Sequence, residues 1–280
     1  RFGLTIEEKT AAALRENREL LRNISPERIF SELKGILCAR GAGEMLLAFP
    51  EVFFVILPEL APMRGFDTRR PQNHCWDVWG HTAHAVDAIA PESVLRLTML
   101  FHDSGKPETF RYDAQAGFGR FPGHPAVSAR IADAALRALR CDNAARERVV
   151  TLVENHEMRT GHGKKDLRRL LAKIGEKNMR DLLLVRRADA AAHAPEAAVR
   201  LTALADEDER ILHEITAERG CLHVKDLAVS GNDLLALGLK PGAAVGETLS
   251  RLLDLVLDEE VPNEKGALLA AARKEMQTHE

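Results

Sequence analysis

Residues 93–107 read SVLRLTMLFHDSGKP, an apolar stretch that ends in a histidine–aspartate pair and is followed by glycine and proline. The leucines and methionine favour a buried helix, and the Gly-Lys-Pro sequence predicts its end. His102 and Asp103 therefore close this helix. An aspartate at a helix C-terminus opposes the helix dipole, so the position of Asp103 calls for a compensating charge, which a bound cation would supply.

Helical signals continue along the 280 residues, in which alanine and leucine are abundant, only 5% are aromatic, and strand alternation is nearly absent. Helices of about 15 and about 12 residues are predicted after Thr5 and Ser25. Further helices are predicted near 77–90, 92–103, 124–140, 143–158, 165–173, 176–193, 196–219 and 243–258, and after Pro262. The sequence thus predicts an all-α fold.

Two changes in composition suggest three segments, 1–70, 71–220 and 221–280. Prolines and a polar stretch mark the first boundary, and Gly220 precedes the second. The segment 104–123, rich in glycine and aromatic residues, is too long for a simple turn, and loops of that length are often functional.

The formal net charge of −3 gives no general attraction for nucleic acid or for an anionic membrane. The longest strongly apolar stretch, residues 52–57, is too short to span a bilayer. Four cysteines without a C-x-x-C spacing suit reduced thiols. These features predict a cytoplasmic protein with no membrane partner. The chain begins abruptly at Arg1, so we expect it to be a piece of a longer protein.

Polar residues recur on the apolar faces of the predicted helices. His81 shares a helical stripe with valine and alanine, and Asp189 projects where leucine and valine point. One such histidine alone is explained by a hydrogen bond to a backbone carbonyl. A shared cation, or two, explains the whole set together. The predicted metal ligands are His81, His102, Asp103, His124, His156 and Asp189.

Imidazole and carboxylate ligands suit divalent ions such as Mn, Fe, Ni, Co or Zn, and Mg stays among the candidates. The absence of cysteine from the set argues against a structural zinc.

The pattern H…HD…D, formed by His81, His102-Asp103 and Asp189, resembles the HD superfamily of metal-dependent phosphohydrolases, which are all-helical. The resemblance implies that these four residues hold one metal and that Asp103 bridges to a second, held also by His124 and His156. It also implies a metal-bound water as the nucleophile. Asp103 and Lys106 are then the catalytic residues. Candidate phosphate clamps are Lys106, Arg120, Arg159 and Lys164, for which an ordinary solvated charge is the alternative explanation.

A narrower resemblance covers nearly the whole chain. The chain is similar to bacterial CCA-adding tRNA nucleotidyltransferases and their poly(A) polymerase relatives. This resemblance implies an N-terminal neck that helps hold a nucleotide, an HD bundle, and a C-terminal body and tail that hold tRNA. The glycine-rich turn near 238–242 fits a phosphate contact or a helix stop equally well. The similar segments are RFGLTIEEKT at 1–10, ISPERIFSELKGIL at 24–37, VWGHT at 78–82, HDSGKP at 102–107, RFPGH at 120–124 and GNDLLALGLKPGAAVGETL at 231–249.

The chain departs from that family in one respect. In that family, nucleotidyl transfer requires a D-x-D carboxylate pair on a β-sheet, and the one D-x-D of this sequence, Asp206 and Asp208, falls in a charged helical face. We therefore expect hydrolysis from this chain, and CCA addition only with an upstream head domain.

The expected partner is tRNA or a nucleotide phosphate ester, and a homodimer is an open alternative. Several basic residues are candidate contacts to RNA phosphates, but ordinary exposure of charged helix faces to solvent explains them equally well. Two other functions stay open: a freestanding nucleotidase or phosphodiesterase for small nucleotides, and a non-catalytic RNA-binding scaffold. The candidate RNA contacts are Arg15, Arg18, Arg22, Lys165 and Arg168.

Overall fold

The computed structural model describes residues 6–68, 75–157, 163–218 and 220–278. Helices dominate these residues, which contain only two short strands. The prediction of an all-α fold is confirmed. The chain forms two compact units, Arg1–Arg159 with Arg180–Ala205, and Thr160–Met179 with Asp206–Glu280.

The elements follow one another in a simple order. The helices up to the hairpin are α1 Glu8–Glu16, α2 Pro26–Leu37, α3 Ala42–Ala48, α4 Pro50–Ile56, α5 Val78–Ala88, α6 Ser93–Phe101 and α7 Lys106–Thr109. The strands are β1 Arg111–Asp113 and β2 Phe118–Arg120. The later helices are α8 His124–Ala138, α9 Asn143–Asn155, α10 Gly163–Ala191, α11 Pro195–Ala217, α12 Gly231–Ala236, α13 Ala243–Leu257 and α14 Lys265–Thr278.

The N-terminal helix is shorter than predicted. It ends at Glu16, and the next residues, Arg18–Asn23, form a separate 3₁₀ helix. Asn17 still donates its backbone N–H to the Ala13 carbonyl, but the next turn is closed by the Leu20 N–H, which donates to the Asn17 carbonyl at 3.0 Å in the tighter 3₁₀ pattern. The prediction of one helix of about 15 residues was therefore wrong, and Thr5 lies outside the described residues.

Two other predictions concern breaks in the helices. Gly175 inside α10 has φ 79° and ψ 160°, which interrupts the helix and confirms the predicted separation of 165–173 from 176–193. The segment 104–123 contains α7 and an antiparallel hairpin in which Tyr112 pairs with Gly119. The sequence did not predict this hairpin, because strands of three residues are too short to show alternation.

Helix α6 lies at the centre of the first unit. Every residue from Val94 to Phe101 is buried, and the helix contacts α2, α5, α8 and α9. A helix that is apolar on all sides is stable only when other helices surround it. Its C-terminal end therefore delivers His102 and Asp103 to the protein interior, where they are 0% and 1% exposed.

The second unit has its own hydrophobic core. Leu234 of α12, Leu252 of α13 and Leu268 of α14 are almost completely buried and form one cluster with Val229 and Leu227. Asp233 closes a capping box with Ser230 at the start of α12. The hydrogen bonds to Asp233 from Lys265 and Ser230 lower the pKa of its carboxyl to about 2.

None of the helices among the described residues combines the length and the apolar character that a bilayer-spanning helix needs.

The packing of α3 against α5 gives a test of the fold. A Cβ added at Gly43 would collide with the Ala83 carbonyl oxygen and lie 2.6 Å from Asp87 Oδ2. We expect Gly43→Ala to destabilise the protein by about 1–3 kcal/mol, because the neighbouring backbone cannot move cheaply. Urea unfolding followed by circular dichroism measures this change.

The matched control is Gly35→Ala, since Gly35 lies inside α2 and an added Cβ there meets nothing within 4 Å. Helix propensity predicts a gain of up to about 1 kcal/mol for this variant. Equal effects of the two variants would contradict the close α3–α5 contact.

Candidate metal centre

Six side chains from five helical regions lie together in the first unit. His81 is on α5, His102 and Asp103 follow α6, His124 begins α8, His156 follows α9, and Asp189 is on α10. The four histidines and Asp103 are buried. The Asp189 side chain is 29% exposed, so the cluster opens to solvent on the side of α10.

Each histidine is oriented by a backbone carbonyl at its Nδ1 atom. Because a carbonyl oxygen can only accept a hydrogen bond, Nδ1 carries the proton in each ring and Nε2 carries the lone pair. The Nδ1–carbonyl distances are 3.2 Å from His81 to Ala192, 2.7 Å from His102 to Met99, 3.1 Å from His124 to Phe121, and 2.7 Å from His156 to Val153.

The four Nε2 atoms face one another in two pairs. His81 Nε2 lies 3.3 Å from His102 Nε2, and His124 Nε2 lies 3.2 Å from His156 Nε2. Two nitrogen lone pairs at this separation repel each other unless a proton or a metal cation lies with them. Each pair is therefore a place where a positive charge is stabilising.

Asp103 lies between the two pairs. Its Oδ2 atom is 3.3 Å from His102 Nε2 and 3.6 Å from His81 Nε2, whereas its Oδ1 atom is 3.4 Å from His124 Nε2 and 3.7 Å from His156 Nε2. Within the described residues, buried Oδ1 has no hydrogen-bond partner. Such an atom costs free energy, which a cation beside His124 and His156 would offset.

The spacing of the ligand atoms fits a metal site. Three groups of ligand atoms among the described residues have all their members within 4.8 Å of one another. Asp103 belongs to two of them, as expected for a carboxylate that bridges two ions. The groups are His81, His102 and Asp103; His81, Asp189 and His193; and Asp103, His124 and His156.

His193 was missed by the sequence reasoning. Its Nδ1 atom lies 2.7 Å from the Asp189 carbonyl, and its ring packs edge-on against the His81 ring with centroids 4.8 Å apart. The spacing of His193 from Asp189 could have predicted this position, because residues four apart at the end of a helix lie on one face.

The electrostatics of the cluster favour bound positive charge. Burial alone would lower the pKa of His102, but the Asp103 and Asp189 carboxylates outweigh it and raise that pKa to about 10. Burial opposes ionisation of Asp103 too, yet His102 and Lys106 hold its pKa well below the ordinary value. Burial lowers the pKa values of His81 and His156. The two carboxylates thus stabilise a positive charge at His102 Nε2, the atom whose lone pair would bind a metal ion.

Lys106 is the one predicted phosphate clamp that contacts the cluster in the described part of the chain. Its Nζ atom is 2.6 Å from Asp103 Oδ2, and it also lies 5.6 Å from the centroid of the Phe121 ring. Gly105 positions this loop: its backbone N–H donates to Ser128 Oγ at 2.8 Å. A Cβ at Gly105 would come within 2.6 Å of the His124 carbonyl, so only glycine fits without a shift.

The other predicted phosphate clamps lie elsewhere. Arg120 is exposed on β2 and pairs with Asp113 at 2.7 Å. Lys164 pairs with Glu218 in the second unit. Arg159 lies outside the described residues.

The predicted RNA contacts all form ion pairs or hydrogen bonds within the chain. Arg15 pairs with Glu51 at 2.9 Å, and Arg22 pairs with Glu19 at 2.8 Å. Arg18 donates to the Arg15 carbonyl at 2.6 Å, and both Arg18 and Arg22 belong to the 3₁₀ helix. In the second unit, Lys165 pairs with Asp258 at 3.1 Å and Arg168 with Glu259 at 2.6 Å. A phosphate would compete with these partners.

Two family models match the chain. The model of tRNA nucleotidyltransferase domain 2 matches residues 126–272. A model described as "Probable RNA and SrmB- binding site of polymerase A" matches residues 3–63. His81, His102 and Asp103 lie outside both matches.

Two curated proteins are similar over most of the chain. The CC-adding tRNA nucleotidyltransferase of Thermus thermophilus is 35% identical over 236 residues, which are 81% of this chain and 52% of that protein. The A-adding tRNA nucleotidyltransferase of Deinococcus radiodurans is 30% identical over 273 residues, which are 90% of this chain and 60% of that protein. The chain thus spans a little over half the length of these relatives.

Proposed function

Because the chain belongs to the tRNA nucleotidyltransferase domain 2 family, we propose that it forms the neck, HD and tail portion of a tRNA-handling protein and carries a metal-dependent phosphohydrolase centre. In this proposal, residues 1–70 are the neck, 71–220 the HD domain and 221–280 the C-terminal body. The substrate is a phosphate ester at the end of tRNA or on a nucleotide, either a terminal phosphate or a 2′,3′-cyclic phosphate. The proposed setting is the cytoplasm.

One observation carries the proposal: two pairs of facing imidazole Nε2 atoms, 3.3 Å and 3.2 Å apart, with Asp103 between them. Hydrogen bonds from Nδ1 to backbone carbonyls leave the Nε2 lone pairs of all four histidines facing the cluster. The arrangement is therefore suited to two cations that share the Asp103 carboxylate. His81, His102, Asp103 and Asp189 would hold the first ion. Asp103, His124 and His156 would hold the second.

A bound divalent ion would lower the pKa of a coordinated water, polarise the phosphoryl oxygens and so favour hydrolysis near neutral pH. The protein supplies the remaining functions. A phosphate ester would reach the cluster from the side of Asp189, whose side chain is 29% exposed. The Lys106 ammonium, 2.6 Å from Asp103 Oδ2, is close enough to exchange that contact for a phosphate oxygen and stabilise its developing charge.

Support for a tRNA substrate comes from the comparisons. The two curated relatives are named for the addition of nucleotides to tRNA, and the N-terminal residues match an RNA-binding model. A hydrolytic centre in such a protein would act on the phosphorylated ends that nucleotide addition cannot use.

One observation favours a second candidate function, a nucleotidase for small nucleotides. The basic residues Lys165 and Arg168 of the second unit are engaged with Asp258 and Glu259, which weakens the argument for their contact with tRNA phosphates. A comparison of kcat/KM for a tRNA ending in 2′,3′-cyclic phosphate with that for 2′,3′-cAMP separates the two functions.

The proposal predicts phosphate release that depends on added metal. We expect the protein, stripped with EDTA, to be inactive on 2′,3′-cAMP, 2′-AMP and p-nitrophenyl phosphate, and to regain activity with Mn, Ni, Co or Mg. Because imidazole ligands prefer the transition metals, Ni or Co should restore more activity than Mg. Inactivity on all three compounds with every metal would refute the hydrolase.

A further inference from the structure

An exposed tryptophan lies at the start of helix α5. The Trp76 side chain is 49% exposed, and its ring lies on the ring of His84 with centroids 4.4 Å apart and planes inclined by 33°. The chain has one other tryptophan, Trp79, which is 2% exposed, packs against Phe54 and donates its Nε1–H to the Leu46 carbonyl at 3.2 Å. Packing explains Trp79 but does not explain why Trp76 presents its indole to solvent.

The backbone around Trp76 is held in place. Asp77 caps α5 by accepting from Gly80 N at 2.6 Å, and its second oxygen accepts from Gly65 N at 2.5 Å. Trp76 also packs closely over Gly80, where an added Cβ would lie 3.1 Å from Trp76 Cβ. The indole is therefore preorganised, which lowers the entropy cost of binding a planar ligand.

Helix α5 carries His84 of the ring pair and one side chain of the metal cluster. His84 follows His81 by three residues on α5, so the two side chains are neighbours on one face of the helix, about one turn apart. His81 Nε2 is in turn 2.8 Å from Asp189 Oδ1, the exposed side of the cluster. A phosphate at the cluster and a base on the Trp76 ring would thus be held by side chains at or next to the same helix.

We infer that Trp76, backed by His84, is a stacking platform for the nucleobase of the nucleotide whose phosphate lies at the metal centre. The inference rests on the proposed function and assigns its substrate class: phosphate esters that carry a base. Every nucleobase has a π-face that can stack on the indole, so we expect the platform to increase nucleotide affinity with little preference among the bases.

The test uses Trp76→Ala, with Trp76→Phe as the conservative variant that keeps a ring. The matched control is Tyr112→Ala, because Tyr112 is 50% exposed but lies on the β1–β2 hairpin. Equilibrium dialysis measures binding of 2′-AMP, and intrinsic fluorescence measures quenching. We expect binding about 10-fold weaker in Trp76→Ala and close to wild type in Trp76→Phe and Tyr112→Ala. Quenching by 2′-AMP should disappear in Trp76→Phe, which retains Trp79.

A base-free ester completes the test. Hydrolysis of glycerol 2-phosphate should be the same in the wild type and in Trp76→Ala, whereas KM for 2′-AMP should rise about 10-fold in the variant. Unchanged 2′-AMP binding in Trp76→Ala, or an equal loss in Tyr112→Ala, would overturn the platform. A wild-type protein that binds 2′-AMP with quenching, loses this binding in Trp76→Ala and hydrolyses neither ester would refute the proposed hydrolase while supporting the platform.

Discussion

Asp103→Ala is expected to abolish hydrolysis, with a loss of more than about 1,000-fold in kcat, and to lower the bound metal content. Among the residues that the structure describes, Asp103 is the one side chain whose oxygens face both histidine pairs, at 3.3 Å from His102 Nε2 and 3.4 Å from His124 Nε2. Its removal would take a ligand from both of the proposed ions at once. No other variant of the cluster should have as large an effect. Phosphate release and metal analysis on the same preparation measure both changes.

Two further variants separate ligation from packing. Asp103→Asn keeps the size of the side chain and removes its charge, so it should lose metal with less loss of stability than alanine. Asp133→Asn removes a half-buried carboxylate of α8 that pairs with Arg137 at 2.8 Å and with the buried Arg146 at 3.0 Å, and it should leave activity unchanged because Asp133 lies outside the metal cluster. Full activity in Asp103→Ala would show that the site is assigned to the wrong residues.

Lys106→Met is expected to lower kcat by about 100-fold while the metal content stays the same or rises. Methionine preserves most of the apolar volume of this buried side chain, and the ammonium that contacts Asp103 Oδ2 at 2.6 Å is removed. The variant therefore loses a positive charge for phosphate and frees a carboxylate oxygen for a metal ion. Steady-state kinetics with saturating metal measure the loss.

Lys34→Met is the matched control, since Lys34 lies over the Phe30 ring at 4.7 Å in α2, much as Lys106 lies over Phe121. It should retain wild-type kcat. An unchanged kcat in Lys106→Met would show that the lysine has a structural role. A loss of bound metal in this variant would show that Lys106 supports the metal ligands and does not bind the phosphate.

Much of the arrangement was predictable because the ligands interrupt otherwise apolar faces. The stretch before His102 is apolar except for Ser93, Arg96 and Thr98, and α6 is buried on all sides. Helical spacing predicts an inward direction for His81 and Asp189, and the structure places both side chains 2.8 Å apart. Their role as metal ligands stays a prediction. The all-α fold and the break near Gly175 followed from helix propensity and glycine.

Other features depend on contacts that no local pattern contains. The hairpin of β1 and β2 is too short for a periodic signal, and no glycine or proline marks the change from α1 to the 3₁₀ helix Arg18–Asn23. The exposure of Trp76 depends on the tertiary fold, because the neighbouring Trp79 belongs to the same helical region and is buried. Likewise, the ion pairs of Arg168 with Glu218 and Glu259 join residues that are far apart in the sequence, so no local pattern predicts them.

Metal content measured together with phosphate release from 2′,3′-cAMP tests the central claim most directly. The protein is purified without added chelator, reloaded with Ni, Co or Mn, freed of excess ion and analysed for bound metal. The account predicts one to two equivalents of tightly bound metal, and hydrolysis that rises in proportion to the metal content. A protein that binds less than about a tenth of an equivalent after reloading and releases no phosphate would contradict it.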